Sequence, residues 1–195
     1  LLVLLAKTPT ALNAASRNLA KALEQDKVNL ADAAYTLQVG RRDYAYRRAI
    51  AVQNSDEAIF LLQGGDAKRV VNAQAEECAP SLVFMFPGGG AQYAGMGADL
   101  YTAERVYREA FDNCLSCLES SLAVEIRELV FANDDNREKA SILLERPSRA
   151  LPALLATEYA LVKQLMAWGA EPTAFIGHSM GEYTAACLSG VFSLN

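Results

Sequence analysis

Five residues, Gly177-His178-Ser179-Met180-Gly181, restrict the fold of this chain more than any other stretch, because a serine with a glycine two positions to either side reads as a sharp strand-to-helix turn. Residues 173–176 before them suit a strand and residues 182–188 after them suit a helix. In such an elbow the chain folds back on itself, so the flanking positions must be small, as Gly177 and Gly181 are. The turn exposes the hydroxyl at the start of a helix, where unpaired amides and the helix dipole favour negative charge. Glu182 suits that helix terminus electrostatically and is read as structural. A serine hydroxyl is a poor nucleophile at neutral pH and needs a base within hydrogen-bonding reach. His178 is the only histidine of the chain. Neighbours in a turn point in different directions, so its ring is expected to pack or hydrogen-bond beneath the elbow rather than reach Ser179. The pattern alone leaves open a hydrolase, a transferase, or a serine in an ordinary turn.

A second constraint lies upstream. Residues 81–86 form a short apolar run, predicted as a strand buried on both faces, that leads directly into Pro87-Gly88-Gly89-Gly90. Amides in such a loop can approach a ligand closely. A phosphate cradle fits poorly, because no Gly-Lys-Ser or Gly-Lys-Thr follows and the spacing does not match the dinucleotide fingerprint. An oxyanion hole fits better, since it needs main-chain donors fixed in advance, and it needs two of them. A plain glycine turn is the alternative.

The rest of the chain supplies scaffolding. Before the glycine loop the pattern predicts a strand over residues 1–6, a helix opening near Thr10, a helix over 30–39, a strand over 44–52 and a short helix over 55–62. Thr10 and Asn29 are candidate N-caps, and Gly40 is expected to end the second helix through a positive φ. Gly64-Gly65-Asp66 reads as a turn, and the main boundary falls between Asn72 and Pro80, giving domains 1–78 and 79–195. After the loop come helices over 101–118 and 124–131, a polar surface excursion over 133–139, and a helix over 151–168, ended by Gly169, whose apolar residues imply packing on several sides. A hydrophobic content of 52% and a net charge of −5 describe a soluble globular chain and argue against a nucleic-acid partner. The apolar run at residues 1–5 is too short to span a membrane and lacks a basic leader, so it is read as a strand; the missing initiator Met is read as a sign of a longer or processed parent. Cys78, Cys114, Cys117 and Cys187 include one CxxC with no second pair and no nearby histidine, which favours thiols acting as small hydrophobes in a reducing cytoplasm over a metal or redox site.

Two segments carry a family resemblance. Phe86-Pro87-Gly88-Gly89-Gly90-Ala91-Gln92 followed by Gly95-Met96-Gly97, and Ile176-Gly177-His178-Ser179-Met180-Gly181-Glu182-Tyr183 downstream, resemble the acyltransferase domains of polyketide and fatty acid synthases. The likeness includes the helix over 154–168 and Ala185-Ala186-Cys187-Leu188, and so covers residues 82–194. Leu30-Ala31-Asp32-Ala33-Ala34-Tyr35-Thr36-Leu37 with Gly40-Arg41-Arg42 resembles the linker between ketosynthase and acyltransferase, which implies a modular polyketide synthase.

The resemblance implies an α/β fold: a small α/β linker domain, with a small antiparallel sheet and helices, followed by the N-terminal part of an α/β-hydrolase-like acyltransferase core. It implies that Ser179 is the nucleophile, that the backbone amides of Met180 and Gly89 form the oxyanion hole, and that Gly88, Gly90, Gln92, Gly177, His178 and Gly181 build the loop and elbow. The implied donor is an acyl-CoA with a malonyl-type extender, and the implied acceptor is the phosphopantetheine thiol of an acyl carrier protein. No bound cofactor, metal, nucleic acid or membrane is implied, a ketosynthase is the implied neighbour, and the setting is cytoplasmic. Relatives often carry glutamine where Gly89 and Leu151 stand, so side-chain contacts to the acyl group differ while the Gly89 amide remains. The family's general-base histidine and carboxylate-binding arginine fall beyond Asn195, as do later core strands and a ferredoxin-like subdomain. The expectation is therefore a C-terminally incomplete domain with little turnover of its own. A serine hydrolase or acyl-editing hydrolase on the same scaffold, and a degenerate acyltransferase kept as a docking scaffold, are the competing readings.

Overall fold

The computed structural model describes residues 1–25, 28–75 and 80–194, and the chain divides into two compact units, Leu1–Pro80 and Ser81–Asn195. Cys78 lies outside the described residues.

The first unit is a three-stranded antiparallel sheet with helices. Strands β1 (Leu2–Ala6) and β2 (Tyr46–Ile50) pair with Leu2 opposite Ile50, and β3 (Val70–Gln74) adds on the far side of β2 with Val70 opposite Ile50. β1 alternates, burying Leu2, Leu4 and Ala6, which is the period a strand needs to present one apolar face. Helix α1 (Pro9–Gln25) answers with Leu12, Ser16, Ala20 and Leu23, a stripe at helical spacing. Helices α2 (Leu30–Val39) and α3 (Ser55–Leu62) complete the unit, α3 contributing Ala58, Leu61 and Leu62 to the core.

Local chemistry explains the boundaries. Asn29 caps α2 as expected, its Oδ1 accepting from the amides of Ala31 and Asp32 at 2.8 and 3.1 Å. The cap of α1 is Thr8, not Thr10: the Ala11 amide donates to Thr8 Oγ1 at 3.1 Å, because Pro9 occupies the first helical turn and sets the start two residues earlier. Gly40 closes α2 at φ −98°, not at a positive angle, and what it supplies is room, since a Cβ there would sit 3.0 Å from the Thr36 carbonyl oxygen. β3 was not expected. Val70 is half-buried and the other residues are exposed, so no alternation marks it, and pairing with β2 is what makes it a strand.

In the second unit β4 (Leu82–Phe86) and β5 (Pro172–Gly177) form a parallel pair, with Phe86 opposite Gly177. Between them run α4 (Ala98–Ala103), α5 (Arg105–Ser116), α6 (Ser120–Val130), α7 (Arg137–Leu144) and α8 (Pro147–Ala167), and α9 (Gly181–Leu188) follows β5. The core centres on the packing of α5 against α8. Ala153, Ala156 and Ala160 on α8 are fully or almost fully buried, and their small side chains let Tyr107 and Phe111 of α5 close in at 0% exposure. α5 has no capping side chain at Glu104; the Tyr107 amide in its first turn donates instead to Gln164 Oε1 of α8 at 3.0 Å.

Three expectations for this unit are corrected. The helix expected over 101–118 breaks at Glu104, which is extended, and Arg108 Nη1 donates to the Tyr101 and Thr102 carbonyls at 2.8 and 3.0 Å, satisfying the end of α4. The expected surface excursion at 133–139 is observed, each of its residues being exposed, and the chain then turns to the core through Ala140 and Leu144 of α7. Helix α8 starts at Pro147 rather than Leu151; Pro152 is tolerated inside it because the carbonyl deprived of a partner belongs to Ser148, an exposed residue. β4 is not buried on both faces: Val83 is 42% and Met85 75% exposed, because among the described residues the sheet has two strands and α9 as its packed helix. The expected many-sided packing of α8 is observed, with α5, α6, α7 and α9 against it.

Candidate active site

The parallel pair delivers both glycine-bearing turns to one end of the sheet. The His178 amide continues the ladder to the Phe86 carbonyl at 3.0 Å, so the chain leaves β4 and β5 side by side. Ser179 then adopts φ +54°, the one positive φ of a non-glycine residue among the described residues. That conformation costs an L-residue about 1–3 kcal/mol and persists where the surroundings over-determine it. Here they do: the amides of Gly181, Glu182 and Tyr183 donate to the carbonyls of His178, Ser179 and Met180 at 3.0, 3.1 and 3.0 Å.

Steric necessity fixes the glycines. A Cβ on Gly177 would lie 2.2 Å from the Glu182 nitrogen, and one on Gly181 would lie 2.4 Å from the Phe86 carbonyl oxygen. A Cβ on Gly88 would meet Ser179 Cβ at 2.8 Å, the His178 carbonyl oxygen at 2.9 Å and His178 Nδ1 at 3.2 Å. The glycine loop is thus packed directly on the serine elbow. Gly89 has open space, its nearest neighbour being Leu151 Cδ2, 3.8 Å from where a Cβ would stand. Gln92 holds the loop in place: its Oε1 accepts from the Gly90 amide at 2.8 Å and its Nε2 donates to the Leu144 carbonyl at 3.0 Å.

Ser179, His178, Gly89 and Gly90 are exposed, and Met180 is half-buried. The His178 ring lies against Gly88, and among the described residues no hydrogen bond joins it to Ser179. A cavity of about 580 Å³ is lined by Phe86, Pro87, Ala91, Leu154, Glu158 and other residues, but Ser179 is not one of them. Cys114 is buried, which pushes its thiol up to about 12, and Cys117 Sγ donates to the Asn113 carbonyl at 3.3 Å. Among the described residues no group of three or more His, Cys, Asp or Glu could hold a metal ion, and no helix is long and apolar enough to cross a membrane.

One feature beneath the elbow was not anticipated. Glu158 of α8 is 8% exposed, its Oε2 accepts from Thr184 Oγ1 of α9 at 2.6 Å, and its Oε1 is buried without a partner. Burial pushes its carboxyl above the ordinary range, against a smaller lowering by the Thr184 hydrogen bond. The sequence held a signal for it: an acidic residue at a buried position of a helix otherwise apolar over most of its circumference.

Comparison with known proteins gives two family matches, "Acyl transferase domain" over residues 83–195 and "CurL-like, PKS C-terminal" over residues 1–62. A phenolphthiocerol/phthiocerol polyketide synthase component from Mycobacterium tuberculosis is 36% identical over 99% of this chain, which spans 13% of that protein's length. The orsellinic acid synthase of Armillaria mellea is 34% identical over 86% of the chain, corresponding to 7% of its own length. Among solved structures, the acyl transferase domain of ZmaA superposes with a TM-score of 0.89 at 43% identity, covering 99% of this chain and 44% of that one. The acyl transferase domain of SpnD in complex with 2-(pent-4-yn-1-yl)malonyl gives 0.77 at 36% identity, covering 99% and 45%.

Proposed function

Because the chain belongs to the acyl transferase domain family, we propose that Ser179 carries an acyl group from an acyl-CoA to the phosphopantetheine thiol of an acyl carrier protein. One observation carries the reading. Gly88 packs on Ser179 at an elbow with φ +54°, which supports reading the amides of the adjacent Gly89 and Met180 as the two donors for an oxygen of a group on the hydroxyl.

The chemistry then has two halves. Ser179 Oγ attacks the thioester carbonyl, the carbonyl oxygen takes negative charge near the Met180 and Gly89 amides, and the C–S bond breaks to release the coenzyme A thiol with the serine's proton. The carrier-protein thiol then attacks the Ser179 ester, forms the new thioester and returns the proton to Oγ. We assign the base not to His178, which no hydrogen bond joins to Ser179 among the described residues, but to a histidine beyond Asn195, together with an arginine for an extender carboxylate. A malonyl-type group is favoured by the malonyl derivative in the name of the SpnD complex. The match of residues 1–62 to a polyketide synthase segment supports reading the first unit as the linker from a preceding ketosynthase.

The test uses the protein that carries this chain. Labelled malonyl-CoA should place one acyl group on the Ser179 peptide, and added carrier protein should take it up faster than water does. Retention of label by Ser179→Ala rejects the nucleophile. Hydrolysis outrunning transfer supports an editing hydrolase instead.

A further inference from the structure

Helix α9 follows the elbow directly, so its placement sets that of Ser179, yet Gly181 and Thr184 are its only buried residues among those described. Thr184 is therefore its one buried side chain, at 0% exposure, and its hydroxyl is spent on a single partner, Glu158 Oε2 at 2.6 Å. The two residues lie 26 positions apart on different helices, and their bond joins α9 to the long helix α8 that anchors the core. No cation lies within salt-bridge distance of Glu158 among the described residues. A carboxylate there is a buried charge with one oxygen unpartnered, so the bond from Thr184 is the one hydrogen bond to its side chain among the described residues.

We infer that Glu158 is a positioning residue for the nucleophile: a buried side chain whose hydrogen bond with Thr184 holds α9, and with it the Ser179 elbow, against α8. This deepens the acyl-transfer reading, and its consequence for rate rests on that reading. Leucine would fill the position more cheaply if burial were all that mattered, since replacing both partners of a buried polar pair by apolar groups of similar shape is close to neutral for folding. The polar pair supplies direction, which an apolar contact lacks, at the place where a strained φ has to be maintained.

The experiment compares Glu158→Gln, which keeps an acceptor for Thr184 without a charge, with the double variant Glu158→Leu/Thr184→Val in the protein that carries this chain. Melting temperature, hydrogen exchange at the amides of Gly181, Glu182 and Tyr183, and the acylation rate of Ser179 by malonyl-CoA are measured on each. The expectation for Glu158→Gln is exchange and acylation within about threefold of the parent. In the double variant the melting temperature holds while those three amides exchange about tenfold faster or more and acylation falls at least tenfold, within the ~10²-fold that a small misplacement can cost. Unchanged exchange at the three amides in the double variant overturns the inference, whatever the acylation rate. So does a Glu158→Gln variant as impaired as the double variant. If the amides respond as expected but malonyl-CoA never modifies Ser179 in the parent, the positioning role stands and the acyl-transfer reading falls.

Discussion

Alanine placed at Gly88 and at Gly89 should have opposite outcomes, although the two glycines are adjacent. At Gly88 the new methyl would sit 2.8 Å from Ser179 Cβ and 2.9 Å from the His178 carbonyl oxygen, and neither atom is the end of a flexible side chain. Carbon pairs rest at about 3.5–4.0 Å, so relief needs a shift of roughly 1 Å between loop and elbow. Overpacking of this kind costs about 1–3 kcal/mol of stability. Misplacing a reacting group by about 1 Å costs on the order of 10²-fold in rate. At Gly89 the methyl finds Leu151 Cδ2 at 3.8 Å, ordinary contact, and the amide assigned to the oxyanion hole stays in place. Gly89→Ala should therefore acylate Ser179 within about threefold of the parent, the range of an unstrained surface change. The assay is single-turnover acylation by labelled malonyl-CoA, read on the Ser179 peptide, beside a thermal melt. Parent-like acylation by Gly88→Ala, or equal damage from both substitutions, would refute the argument that the glycine loop is built against the nucleophile.

Other outcomes follow from the same geometry. Ser179→Gly should abolish acylation without loss of stability, with a gain of up to ~1 kcal/mol as the strain at φ +54° is released, measured by denaturant unfolding. Gln164→Leu should cost about 1–3 kcal/mol, because the Tyr107 amide in the first turn of α5 loses its buried acceptor. Burial raises the Glu158 carboxyl, so over the range just above the ordinary carboxylate value the folded protein holds a proton that the unfolded chain has released. Stability from this group is complete below that value and falls as pH rises through the folded-state value; Glu158→Gln should flatten that segment of the stability–pH curve.

The elbow was readable because part of its requirement is local: Gly177 must be small for contact with Gly181 and Glu182 a few residues on, and the pattern states this directly, whereas the contact of Gly181 with Phe86 and Pro87 required the fold. The same holds for Asn29 and for β1, where cap chemistry and alternation lie in adjacent residues. What escaped was decided at long range. β3 exists through its partner β2. Gln164 serves a helix 57 residues away, and Glu158 meets Thr184 across two helices. Gln92 belongs to both classes: its place beside the glycine loop was legible, while its bond to the Leu144 carbonyl required the fold. The exposure of β4 departs from its apolar composition because burial depends on what packs against a strand as well as on what it is made of.

The central claim is that two main-chain donors from separate segments meet the oxygen of a group held on Ser179. A crystal structure of the acylated protein tests it most directly. The ester carbonyl oxygen is predicted to lie about 2.7–3.1 Å from both the Met180 and the Gly89 nitrogens. An ester oxygen turned away from either amide, or an acyl group attached at a residue other than Ser179, would contradict it.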